Sequence, residues 1–155
     1  MNCSLKLLAI AGAVAFAPYS LANTGEQKCS HPKNDCSANV SVKTATAGAP
    51  CQAVIGVGHI RVARGVQTRH VWKIVSAPKD KGQYEWDLAN GIEIIQDKDH
   101  QVLNKGITKE GHFWILNANN VPGSEIEYIA HVRQIVDRAH TQMCDSMDPR
   151  IINSL

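Results

Sequence analysis

Charge of one sign is missing from this chain. Its 16 Lys and Arg nearly balance 14 Asp and Glu, and no four basic residues run together. Nucleic-acid recognition needs a clustered basic face, and membrane-surface binding needs a polybasic stretch, so neither partner class is expected. Enzyme signatures are absent too. There is no Gly-x-Ser-x-Gly elbow and no Cys-x-x-Cys redox pair, and "GVGHIRVARG" lacks the glycine spacing of a phosphate cradle. Zinc-type spacings such as Cys-x-x-His are also missing. The chain reads as a non-enzyme.

A long hydrophobic run is lacking as well. The longest, Leu7 to Ala17, is well short of the roughly 20 residues that span a bilayer. Lys6 precedes it, Pro18 ends it, and Ser20-Leu21-Ala22 supplies small residues suited to a signal peptidase. Residues 1–22 therefore read as a secretory signal peptide, and the remaining chain as periplasmic or secreted, with no membrane insertion after cleavage. Four cysteines follow: Cys29, Cys36, Cys51 and Cys144. An even count in an exported chain implies disulfides, with three connectivities open. A local Cys29–Cys36 bridge is easy to close and leaves Cys51–Cys144, which would tie the start of a domain to its end.

The segment 23–50 is rich in Ser, Thr, Asn, Lys, Gly and Pro without an apolar period, so it reads as an irregular lead-in held by the local bridge. Only Val40 and Val42 hint at a strand there. From Cys51 to Leu155 short alternating stretches follow one another: Ala53 to Gly65, bent at its glycines; Thr68 to Ser76; Tyr84 to Leu88; Ile92 to Ile95; Val102-Leu103; His112 to Asn120; Glu125 to Ile135; and an edge strand at Ile151-Ile152. Asn90-Gly91 has the chemistry of a tight hairpin, which would bury Tyr84, Trp86, Leu88, Ile92 and Ile94 on one face. The expected fold is all-β: an antiparallel, disulfide-stapled Ig-like β-sandwich of about seven or eight strands, with its core dominated by Trp72, Trp86 and Trp114.

The succession "VWKIV", "YEWDLANGIEI", "HFWILNANN", "EYIAHV" and "DPRIIN" resembles small exported bacterial β-sandwich proteins that close on Asp-Pro-x-Ile-x-Asn. The likeness covers roughly residues 51–155. It implies an Ig-like sandwich and no particular activity.

Seven histidines are the most suggestive polar feature: His31, His59, His70, His100, His112, His131 and His140. Imidazole suits Cu or Zn. Strand parity puts His59 and His131 outward, where they would meet if their strands pair. His70 and His112 each open a strand and would gather at one end of the sandwich. Binding loops are the other candidates, with Asn117, Asn119 and Asn120 placed to hydrogen-bond a peptide or sugar, or else to cap turns. The expected function is a non-enzymatic binding or adaptor module for a protein or glycan, such as an inhibitor of a secreted hydrolase, without a cofactor. The alternative is a Cu- or Zn-binding protein.

Overall fold

The clean alternation from Glu125 to Ile135 builds the longest strand among the described residues. The structure, a computed structural model, describes residues 25–29, 35–44, 51–63, 65, 67–75, 83–135, 141–147 and 149–155. The expected signal peptide lies outside them. Among the described residues there are twelve strands: β1 (Glu26–Cys29), β2 (Cys36–Thr44), β3 (Cys51–Ile55), β4 (His59–Val62), β5 (Thr68–Ile74), β6 (Gln83–Trp86), β7 (Ile92–Asp97), β8 (Val102–Ile107), β9 (Phe113–Asn117), β10 (Glu125–Ile135), β11 (Thr141–Asp145) and β12 (Arg150–Asn153). Among the described residues there is no helix, and the chain is all-β.

The strands form two sheets that share β10. The smaller runs β1-β4-β12-β10-β7 and the larger β6-β10-β11-β3-β2-β5-β9-β8. Their inward faces build one core. Val40, Trp72 and Ile115 of the larger sheet pack in it with Ile60, Tyr128 and Ile151. Trp72 donates its indole N–H to the Tyr128 hydroxyl at 3.1 Å, and the rings meet edge-on. A buried donor and acceptor thereby satisfy each other inside the apolar layer.

The sheets are mixed, not antiparallel. β2 lies parallel to β5, β12 parallel to β4, and β1 parallel to β4. The cause is non-local. Local turn chemistry announces hairpins, whereas parallel neighbours are brought together by chain segments far apart in sequence. One of them, β2, falls inside the expected irregular lead-in. It runs between β3 and β5, with Val40 and Val42 buried in the core. β12 is likewise no edge strand, since it pairs with β10 on one side and β4 on the other.

Asn90-Gly91 does not turn a hairpin. β6 and β7 both pair antiparallel with β10, one after the other along the same side of it. Trp86 stands opposite Val132 and Ile92 opposite Ala130. Six steps on one strand thus match two on the other, so four extra residues are pushed out between β6 and β7. β11 and β12 divide the opposite side of β10 between them, with an excess of only one residue at their junction.

Two disulfides, Cys29–Cys36 and Cys51–Cys144, join positions 7 and 93 residues apart. Such bonds fit an oxidising environment outside the cytoplasm. Loop-closure entropy makes the long bridge the stronger restraint, at about 4–5 kcal/mol against about 2 kcal/mol for the short one. Replacing Cys51 and Cys144 together by Ser should lower unfolding free energy about twice as much as replacing Cys29 and Cys36, as urea titration would measure.

Candidate functional site

The five residues between β6 and β7, Asp87 to Gly91, stand opposite the single β10 residue His131 and form a short excursion. Leu88 at its tip is 77% exposed, and among the described residues only Leu155 near the end of the chain is a more exposed large apolar side chain. The expectation that Leu88 lies buried with Trp86 and Ile92 is therefore corrected. Only Trp86 and Ile92 of that set are fully buried, and Tyr84 and Ile94 pack partly against the core.

The excursion is pinned at both ends to one residue of β10. Asp87 N donates to the His131 carbonyl at 3.0 Å, and His131 N donates to the Gly91 carbonyl at 2.9 Å. Inside the loop, the Asp87 carboxylate accepts from Asn90 N at 3.0 Å. Gly91 is required for a steric reason, because a Cβ there would lie 2.7 Å from the Phe113 ring and 3.1 Å from the Asp87 carbonyl. Phe113 in turn packs on Trp86 with ring centroids 5.8 Å apart. The loop base is thus anchored in the aromatic part of the core.

Charged side chains of β10 and its neighbours surround this base. His131 Nδ1 meets Asp145 at 2.8 Å and Nε2 meets Glu93 at 2.9 Å. Partial burial works against the charged ring, but the hydrogen bonds and charges of Asp145 and Glu93 outweigh it and raise the pKa above its ordinary value. Arg133 binds Glu85 at 2.8 Å and lies 3.9 Å from Asp87. Four carboxylates, Glu85, Asp87, Glu93 and Asp145, therefore face Arg133 and His131 around the excursion.

The four histidines considered as metal ligands are not brought together. β12 stands between β4, which carries His59, and β10, which carries His131. His70 stands opposite Ile115 in the middle of the antiparallel β5–β9 pair, whereas His112 precedes β9, beyond the Trp72–Phe113 position that ends the ladder. His70 is fully buried and its ring nitrogens have no hydrogen-bond partner among the described residues. Burial pushes its pKa down to about 3, so the ring is neutral at physiological pH. Among the described residues no three His, Cys, Asp or Glu side chains converge as a metal set. His31 and His140 lie outside those residues.

The asparagine loop is largely internal. Asn117 and Asn119 are buried, and Asn120 alone of the three is exposed. Asn117 Nδ2 donates to Asn153 Oδ1 at 2.7 Å, and Asn117 Oδ1 accepts from Asn119 N at 2.9 Å. The Asn119 side chain donates to the Ala63 carbonyl, and its backbone is left-handed with φ 48°. Asn153 also donates to Ser124 Oγ at 2.7 Å, while Gln101 Oε1 accepts from Asn120 N and Val121 N. These amides hold β9, β12 and the turn after β9 together.

Sequence alternation gave no warning of the excursion, because Leu88 continues the parity of Tyr84 and Trp86. The signal that was available is Asp87, a side chain suited to capping a local turn. The chain matches no protein-family model and no curated protein.

Two outcomes test this geometry. Gly91→Ala should destabilise the protein by about 1–3 kcal/mol, read by thermal or urea unfolding, since Phe113 or the backbone must move. His131→Gln should cost on the order of 1 kcal/mol at mildly acidic pH, the scale of partly exposed ion pairs. A raised histidine pKa gives stability that is full below the ring's ordinary value and is lost as pH rises through the folded value. The gap between wild type and His131→Gln should therefore close in melts at alkaline pH.

Proposed function

We propose that the protein is an exported, non-enzymatic protein-binding module, periplasmic or secreted, that docks through the Asp87–Gly91 excursion. The single observation that carries this reading is Leu88, held in water at the tip of a loop whose two ends are tied to His131. Leaving an apolar side chain exposed forgoes about 1.5–3 kcal/mol of burial energy, which a partner's pocket would recover. Because the loop is already ordered, little conformational entropy remains to be lost on docking. An anchor side chain on a preorganised loop is also the geometry by which an inhibitor fills a hydrolase pocket, the form of binder expected from the sequence.

The surrounding carboxylates specify the partner further. Glu85, Asp87, Glu93 and Asp145 outnumber Arg133 and His131, so the complementary surface is an apolar pocket with a basic rim. Such complementarity acts mainly on association rate and on rejection of wrong partners.

A photo-crosslinking residue in place of Leu88, in the full exported chain, should give one discrete adduct in the native compartment. The same residue at Leu103, also exposed, should not. Leu88→Asp should weaken binding of the captured partner by about 2 kcal/mol or more, the scale of a central anchor. No adduct at 88, or equal capture at both positions, would remove this reading.

A further inference from the structure

We infer that the outer face of the β8–β9 pair is a glycan platform built on Trp114, suited to a neutral hexose or N-acetylhexosamine chain. The three tryptophans are not equivalent. Trp72 and Trp86 are buried in the core, whereas Trp114 stands on the opposite face of β9 from Phe113 and Ile115 and is only partly covered. No protein acceptor takes its indole N–H among the described residues. Across the strand pair lies Gly106, where an added Cβ would sit 3.3 Å from Trp114 Nε1 and 3.4 Å from Cε2 and Cζ2. The indole therefore rests against bare backbone of the outermost strand of the larger sheet.

Leu116 follows Trp114 on the same face and is also partly covered. Polar side chains frame this strip. Asn104 stands opposite Leu116 on one side and Arg69 on the other. Asn104 Oδ1 accepts from Lys105 N at 2.8 Å, which leaves its amide N–H groups directed to solvent partners. Arg69 grips Asp35 through Nε at 2.7 Å and Nη2 at 2.5 Å, so its charge is already matched.

This arrangement suits a sugar ring. The negative face of an indole attracts polarised C–H bonds, and the flanking N–H groups offer donors to hydroxyl oxygens. Asp35 pairs with Arg69 and Glu110 also acts on it, so no unmatched positive charge is left there to select an anionic ligand. A purely apolar protein surface laid over the strip would strand the Trp114 and Asn104 N–H groups without acceptors, whereas a polyhydroxylated ligand would not.

Intrinsic fluorescence of the full disulfide-bonded protein, titrated with cellohexaose, mannohexaose, laminarihexaose and chitohexaose, tests the assignment. At least one should give a saturable change, weakened about tenfold or more by Trp114→Ala and less by Trp114→Phe. Binding followed by calorimetry supplies a readout that does not depend on the removed fluorophore. Thermal melts check that Trp114→Ala is folded, and Asn104→Ala, which leaves Gly106 shielded, should weaken the same ligand. Absence of response to all four, or binding that survives both Trp114→Ala and Asn104→Ala, would overturn the proposal. A wild type that ignores every ligand while Trp114→Ala merely melts earlier would show an indole that only shields Gly106.

Discussion

Backbone pairing along β10 is the constraint on which the rest depends. Eleven residues of one strand must find hydrogen-bond partners on both sides while passing from one sheet to the other. β7 and β12 serve its first half, and β6 and β11 its second. The crossing point is covered by non-ladder groups. Ala130 N donates to Ser146 Oγ at 2.8 Å, Ser146 N donates to the Ala130 carbonyl at 3.0 Å, and His131 pairs with Asp87 and Gly91. Leaving any of these buried groups unpaired would cost about 1–3 kcal/mol each, so the interruptions on both sides are as fixed as the strands.

A second set of constraints closes the sheets at one end. Gln101, Asn117, Ser124 and Asn153 are buried, and their side chains bond one another or nearby backbone. The Asp97 carboxylate joins the same region by accepting from Gln101 N and Val102 N at 2.7 and 2.8 Å. A satisfied polar network of this kind specifies one arrangement of β8, β9 and β12, because any slip would leave amides buried without partners. Hydrophobic burial drives the core together, and these amides select how its end is arranged.

Much of the fold was legible in the sequence because it follows from local pattern. Alternation located β5, β9 and β10, the glycines at 56 and 58 marked the bend between β3 and β4, and cysteine spacing suggested both bridges. What escaped was non-local. No local signal says that a polar stretch ending in Val40 and Val42 will slip between β3 and β5, or that Ile151 will meet a parallel neighbour. Residue type alone placed Trp114 in the core with the other tryptophans, yet its neighbours Phe113 and Ile115 claim the inward face. The candidate site escaped for the same reason, since Asn-Gly carries the same turn chemistry whether the next strand folds back or continues forward.

The position of the exposed loop follows from the sheet crossing. A strand that serves two sheets bends between them, and a flanking strand cannot follow that bend without gaining or losing residues. Both flanks of β10 are interrupted near its crossing, β6 and β7 at His131 and β11 and β12 between Glu127 and His131, and the first of these interruptions expels Asp87 to Gly91. Side chains from the two flanks can then converge over one β10 residue. That is why His131 meets Glu93 from one neighbour and Asp145 from the other. In an otherwise paired β-structure, a bend of this kind is where a side chain can leave the sheet surface without breaking the ladder. Leu88 occupies that place, and the core aromatic Phe113 beneath Gly91 keeps it there.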